Sequence, residues 1–66
     1  MKNRIKIERA ILDLTQDDLA KKIGVSRQTI NSIEKGHYVP STLLSLKLSE
    51  LFQKPINEFF FLDDTD

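Results

Sequence analysis

The sequence predicts an all-α domain of five short helices, and three observations carry that expectation. Apolar residues recur mainly at helical spacing, Ser or Thr stands before each of the three central apolar stretches, and Gly24, Gly36, Pro40 and Pro55 punctuate the chain where helices must end or begin. At 66 residues the chain has room for one domain, residues 1–66. A domain of that size buries only about 60% of the surface exposed by its unfolded form. With no cysteine and a single histidine, neither a disulfide nor a structural zinc site of the usual His/Cys kind is available. Helix packing and self-association are the remaining sources of stability.

From about Arg4 to Leu12, Ile5, Ile7, Ile11 and Leu12 can share one broad helical stripe, although Ile5 and Ile7 also alternate as in a strand, so the first few residues are helical or extended. Thr15 is a good N-cap, and Asp18 stands where a capping box places its acid; Asp17 and Asp18 also suit the positive end of the helix dipole. A second helix therefore runs from Gln16 to Ile23, with Leu19, Ala20 and Ile23 on one face, and closes at Gly24. Ser26 caps a third helix to Lys35, whose buried side is marked by Ile30 and Ile33 and which Gly36 closes.

Ser41 or Thr42 caps a fourth helix whose Leu43, Leu44, Leu46, Leu48, Leu51 and Phe52 occupy more than one face. Such a helix sits between other elements or supplies part of a dimer interface. Pro55 fits the first turn of a fifth helix reaching Phe59 or Phe60. A final short strand at Phe60 to Leu62, pairing with residues near the N-terminus, would add a two-stranded antiparallel ribbon.

The formal net charge is zero, but its distribution is uneven. Up to Pro40 there are eight Lys/Arg against five Asp/Glu, and from Ser41 onward two against five. One half can face phosphate and the other a partner chain; an ordinary mixed surface fits the charge count equally well. Lys2, Arg4 and Lys6 precede no long apolar run, so neither a signal peptide nor a membrane anchor is expected, and a soluble cytoplasmic protein is.

The run Thr15 to Gly36, TQDDLAKKIGVSRQTINSIEKG, holds the functional signal. Two short helices joined by Gly24, Val25 and Ser26 can cross steeply only if the crossing point is small and the turn flexible, which Ala20 and Gly24 provide. Leu19, Ile23, Val25, Ile30 and Ile33 fill the wedge, each burial contributing roughly 1.5–3 kcal/mol. Left outward on the third helix are Arg27, Gln28, Thr29, Asn31, Ser32 and Lys35. Arg pairs bidentately with guanine, Gln and Asn with the adenine edge, while Ser, Thr and Lys suit phosphate oxygens. A polar helix face alone is ordinary solvated surface; its coupling to this apolar framework is what points to double-stranded DNA.

The stretch resembles the helix-turn-helix of the Cro/C1-type (XRE) regulators. Glutamine just after the first cap, Leu-Ala in that helix, Gly-Val-Ser in the turn, Arg-Gln-Thr-Ile opening the next helix and Ile-Glu-Lys-Gly closing it stand at the family's positions. The likeness extends to Tyr38-Val39-Pro40-Ser41, to the leucine-rich fourth helix and to Ile56-Asn57-Glu58-Phe59-Phe60. The resemblance implies a lambda-repressor-like domain with its helix-turn-helix at residues 16–35. It implies that Gln16 bonds a phosphate and braces Gln28, that Arg27 and Gln28 reach bases or phosphates, and that Thr29, Asn31 and Ser32 complete base or backbone contacts. Lys35, His37 and Tyr38 would meet the backbone beyond the helix. Glu8 departs from the pattern, standing where many relatives have leucine, so Ile7 is expected to take over that packing role.

The resulting expectation is a homodimeric transcription regulator, by default a repressor, whose reading helices enter successive major grooves of an inverted-repeat operator about 34 Å apart. The dimer interface is expected in residues 43–62, through Leu44, Leu48, Phe52, Phe59, Phe60 and Phe61. A rival of another class is a protein-interaction module, such as an antitoxin gripping a partner with its acidic, aromatic C-terminal half. No nucleophile–base pair, metal cluster or phosphate-cradling glycine loop is apparent, so an enzyme, a cofactor, a metal and a small-molecule ligand are not expected. His37 reads as a surface or phosphate-contacting residue rather than a pH switch, Asp63, Asp64 and Asp66 as a solvated tail, and Phe59 to Phe61 as core or interface rather than a ligand pocket.

Overall fold

The computed structural model describes residues 1–66. Strand β1 (Lys2–Asn3) leads into α1 (Ile5–Ile11), α2 (Gln16–Ile23), α3 (Arg27–Glu34) and α4 (Thr42–Phe52). A 3-10 turn (Ile56–Glu58) and strand β2 (Phe60–Phe61) follow. The strands pair antiparallel, Lys2 opposite Phe61 and Asn3 opposite Phe60, so the expected ribbon closes the two ends of the chain against each other. No helix is long and apolar enough to cross a membrane.

Local signals fix the helix ends. The Thr15 hydroxyl accepts the Asp18 backbone N–H at 3.0 Å and the Asp18 carboxylate accepts the Thr15 N–H at 3.0 Å, a complete capping box. Ser26 and Ser41 cap α3 and α4 by accepting the Thr29 and Leu44 N–H groups. Gly24 ends α2 with φ at 79°, and the Gly24 and Val25 N–H groups both bond the Ala20 carbonyl, at 2.9 and 3.0 Å. A side chain at Gly24 would meet only the tip of Lys47, so the left-handed backbone, not lack of space, is what calls for glycine there. Where α4 stops, Gln53 takes the left-handed conformation without being glycine, and the Ser49 hydroxyl donates to the Lys54 carbonyl at 2.6 Å.

Three expectations are corrected. The fifth helix is only a 3-10 turn, with Pro55 as its cap rather than in its first turn. Phe59 has already left helical geometry, because its carbonyl accepts the Arg4 N–H at 2.9 Å and Phe60 proceeds into the ribbon. Second, Ile7 does not replace the missing leucine: it is 49% exposed, as Ile11 and Leu12 also are exposed, and only Ile5 of that stripe is buried. Glu8 itself occupies the interior, its side chain 4% exposed and its carboxylate 2.9 Å from the Lys54 ammonium, with Arg4 at 3.8 Å. The position at which the family resemblance implies leucine is thus an ionic tie between α1 and the end of α4.

The third correction concerns the dimer surface. Leu44, Leu48, Phe52, Phe59 and Phe60 are all buried in the protomer's own core, together with Ile5, Leu19, Ala20, Ile23, Ile30 and Ile33. Phe59 is its hub, in edge-to-face contact with Phe52 at 5.2 Å between ring centres and tilted against Phe60 at the same spacing. In a domain this small these side chains are consumed by folding and are not available to a second copy. Of the six, Phe61 alone keeps an exposed face, at 38%.

Two outcomes follow from these contacts. Lys54→Met should destabilise the domain by roughly 1–3 kcal/mol in urea unfolding, because it strands the Glu8 carboxylate in the interior; the double variant Glu8→Leu/Lys54→Met should recover that loss. Hydrogen bonds from Thr15 hold the Asp18 carboxyl below the usual carboxylate range. The folded state therefore binds the Asp18 proton less readily than the unfolded state, and the contribution present above about pH 4 is lost as pH falls through the lower folded value. Asp18→Ala should lower the Tm at neutral pH, and the gap to the parent should close in acid.

Candidate nucleic-acid interface

The outward side of α3 is set by what its other side buries. Ile30 and Ile33 are within 1% of complete burial, packed in the core with Leu19, Ala20 and Ile23 of α2. At 3.6 residues per turn, that phase places Gln28, Asn31, Ser32 and Lys35 on the opposite stripe, flanked by Arg27 on one side and Thr29 on the other. Arg27, Gln28 and Lys35 are exposed, whereas Thr29, Asn31 and Ser32 are half-buried.

Two shallow hollows lie on either side of Gln28. One is lined by Gln16, Arg27, Gln28 and Asn31, with no hydrophobic residue; the other by Gln28, Thr29, Ser32, His37 and Tyr38. Eight of the nine expected DNA-contacting residues thus form one continuous polar relief. Lys35 stands apart, lining a separate hollow beside β1 with Lys2 and Asn3. The Thr29 hydroxyl lies 2.9 Å from that of Ser26, so the cap and the flank of the stripe are held together.

Behind this relief is a polar chain that includes Arg9 and Glu34, neither of which the sequence pattern links to a partner. Arg9 grips Glu34 with two hydrogen bonds, at 2.9 and 3.3 Å, and donates a third to the Leu14 carbonyl at 2.9 Å. Glu34 is nearly enclosed, its side chain 7% exposed, so the pair fastens α1 to the end of α3 out of water. Gln16 then donates to Glu34 at 3.2 Å and to Asn31 at 3.3 Å. The brace expected between Gln16 and Gln28 is replaced by these two bonds, because the carboxylate of Glu34 is the stronger acceptor. From β1, Asn3 donates to the Ile33 carbonyl at 2.8 Å, a second bond beside the one that carbonyl accepts from the Gly36 N–H at 2.9 Å, so the ribbon is tied to the last turn of α3. The only trace of the Arg9–Glu34 tie in the sequence is a pair of opposite charges 25 positions apart.

Comparison with known proteins agrees with this geometry. A helix-turn-helix family model matches residues 5–59, which includes all four α-helices. An uncharacterized HTH-type transcriptional regulator of Methanocaldococcus jannaschii is 52% identical over 66 residues, the full length of both chains. An uncharacterized HTH-type transcriptional regulator of Bacillus subtilis is 44% identical, covering 97% of each chain. The ImmF control region 10 kDa protein of Bacillus phage phi105 is 36% identical across 80% of this chain and 59% of its own length. A match over the whole helical body, joined to full-length similarity to named regulators, shows that the chain belongs to the Cro/C1-type (XRE) helix-turn-helix family of transcriptional regulators.

Proposed function

We propose that the protein is a sequence-specific double-stranded DNA-binding repressor that acts as a homodimer on an inverted-repeat operator, with α3 in the major groove. The observation that carries this reading is the single outward stripe of Gln28, Asn31, Ser32 and Lys35, set in phase by the burial of Ile30 and Ile33. Arg27 and Gln28 supply the bidentate chemistry that distinguishes guanine and adenine edges. Lys35, His37, Tyr38 and the N-terminal ends of α2 and α3 supply the phosphate contacts that fix register. The surplus of three positive charges up to Pro40 draws this half of the molecule to DNA. Repression needs only occupancy of a promoter, and that suits a chain folded around one small core.

For the dimer, the exposed apolar residues of segment 43–62 replace the buried ones: Leu43 and Leu46, on adjacent turns of α4, with Phe61 and Leu62 at the ribbon. The antitoxin reading loses support at the same place, since three of the four phenylalanines that would grip a partner are core. The protein is taken to work in the cytoplasm, where its DNA is, as a binding protein without cofactor.

A gel shift on the gene's own upstream DNA tests the reading. Arg27→Ala and Gln28→Ala should each weaken specific binding by about 1–3 kcal/mol while leaving the fold intact. Lys35→Ala should weaken binding to all sequences alike and flatten the salt dependence. Indifference of the shift to Arg27→Ala and Gln28→Ala would contradict the proposal.

A further inference from the structure

We infer that Asn31 is a specificity-determining residue that reads guanine, and that the Arg9–Glu34–Gln16 chain imposes this choice by fixing which way the Asn31 amide points. The inference rests on the proposed insertion of α3 into the major groove. Taken alone, an outward asparagine on such a helix suggests adenine, because an amide can donate to N7 and accept from N6 at once. The neighbours of Asn31 withdraw half of that capacity.

The polarity follows from chemistry at each link. A carboxylate ion-paired with Arg9 has acceptors only, so Gln16 must turn its NH2 group, not its carbonyl, toward Glu34. The same NH2 group lies 3.3 Å from Asn31, which must therefore present its carbonyl oxygen to Gln16. Both N–H groups of the Gln16 side chain are then committed, and the Asn31 oxygen is turned toward α2. The Asn31 oxygen keeps a second lone pair but is held toward Gln16, so the group Asn31 extends to the hollow it lines with Arg27 and Gln28 is its NH2, a pure donor.

Among major-groove edges, guanine offers two neighbouring acceptors, N7 and O6, with no donor beside them. Adenine sets an amino group next to N7, and that group would meet the Asn31 NH2 as donor against donor. Gln16 and Glu34 are positioning residues here: neither needs to touch a base. A further consequence is that the Gln16 side chain has no N–H free for a phosphate, so a phosphate at the start of α2 must be held by backbone N–H groups.

The experiment is a base-preference profile of the full-length protein. Binding to a panel of half-sites, each base pair varied in turn, is measured in competition for the parent, Asn31→Ala and Gln16→Ala. Gln16→Ala leaves the Arg9–Glu34 pair in place, and thermal melts followed by circular dichroism establish that each variant is folded. The parent should prefer guanine by about five-fold or more at one position per half-site. That preference should vanish in Asn31→Ala at that position alone. In Gln16→Ala the freed amide should accept adenine there nearly as well as guanine. An Asn31-dependent preference for adenine in the parent would overturn the assigned polarity, and an unchanged profile in Asn31→Ala would overturn the role of Asn31, while the DNA-reading function would survive either result. Failure of the folded parent to prefer any sequence over random DNA would instead overturn the functional reading beneath both.

Discussion

Burial of Ile30 and Ile33 against α2 sets the orientation of α3 and of every side chain it carries. Two β-branched side chains three positions apart have only one way to face Leu19, Ala20 and Ile23, and in taking it they fix the rotation of α3 about its axis. Every outward residue of that helix is then determined. Misrotation by one position would bury Asn31 and expose an isoleucine, at a cost of several kcal/mol that a domain of this size cannot absorb. The polar outward face of α3 is thus a by-product of core packing.

A rotated helix is not yet a precise one, and the polar ties provide the precision. Arg9 and Glu34 join α1 to the end of α3, Asn3 reaches the same end from the ribbon, and Lys47 donates to the Ile23 carbonyl at the close of α2. Each tie either bonds a backbone carbonyl in the last turn of a helix or neutralises a charge held out of water. Hence the same residues that satisfy local needs also hold α3 from both sides. The Glu8–Lys54 pair performs the equivalent task at the far edge, fastening α1 to the close of α4.

What the sequence made legible was local. Thr15 with Asp18, Gly24, Ser26 and Ser41 are signals read within three or four positions, and α2, α3 and the start of α4 lie where they place them. The stripe on α3 was legible for the same reason, since periodicity is a short-range property. Illegible features depend on partners far along the chain. Nothing near Glu8 announces Lys54, which lies 46 positions on, so a packing role for Ile7 was the natural expectation. Nor does the count of leucines on α4 say which face the protomer consumes; Phe59, arriving from the other end, decides that by packing onto Phe52. The fifth helix yielded to a 3-10 turn because the ribbon claims Phe60 immediately afterwards.

If the edge of α3 opposite Ile30 and Ile33 is the surface that meets DNA, binding must perturb that edge first. Titrating isotopically labelled protein with duplex from its own upstream region, and following the amide and side-chain resonances, tests this directly. The largest shifts should fall on Arg27, Gln28, Asn31, Ser32 and Lys35, with the methyl resonances of Ile30 and Ile33 little changed. Shifts concentrated instead on Ile7 and Ile11 of α1, or on the outer leucines of α4, with α3 silent, would contradict it.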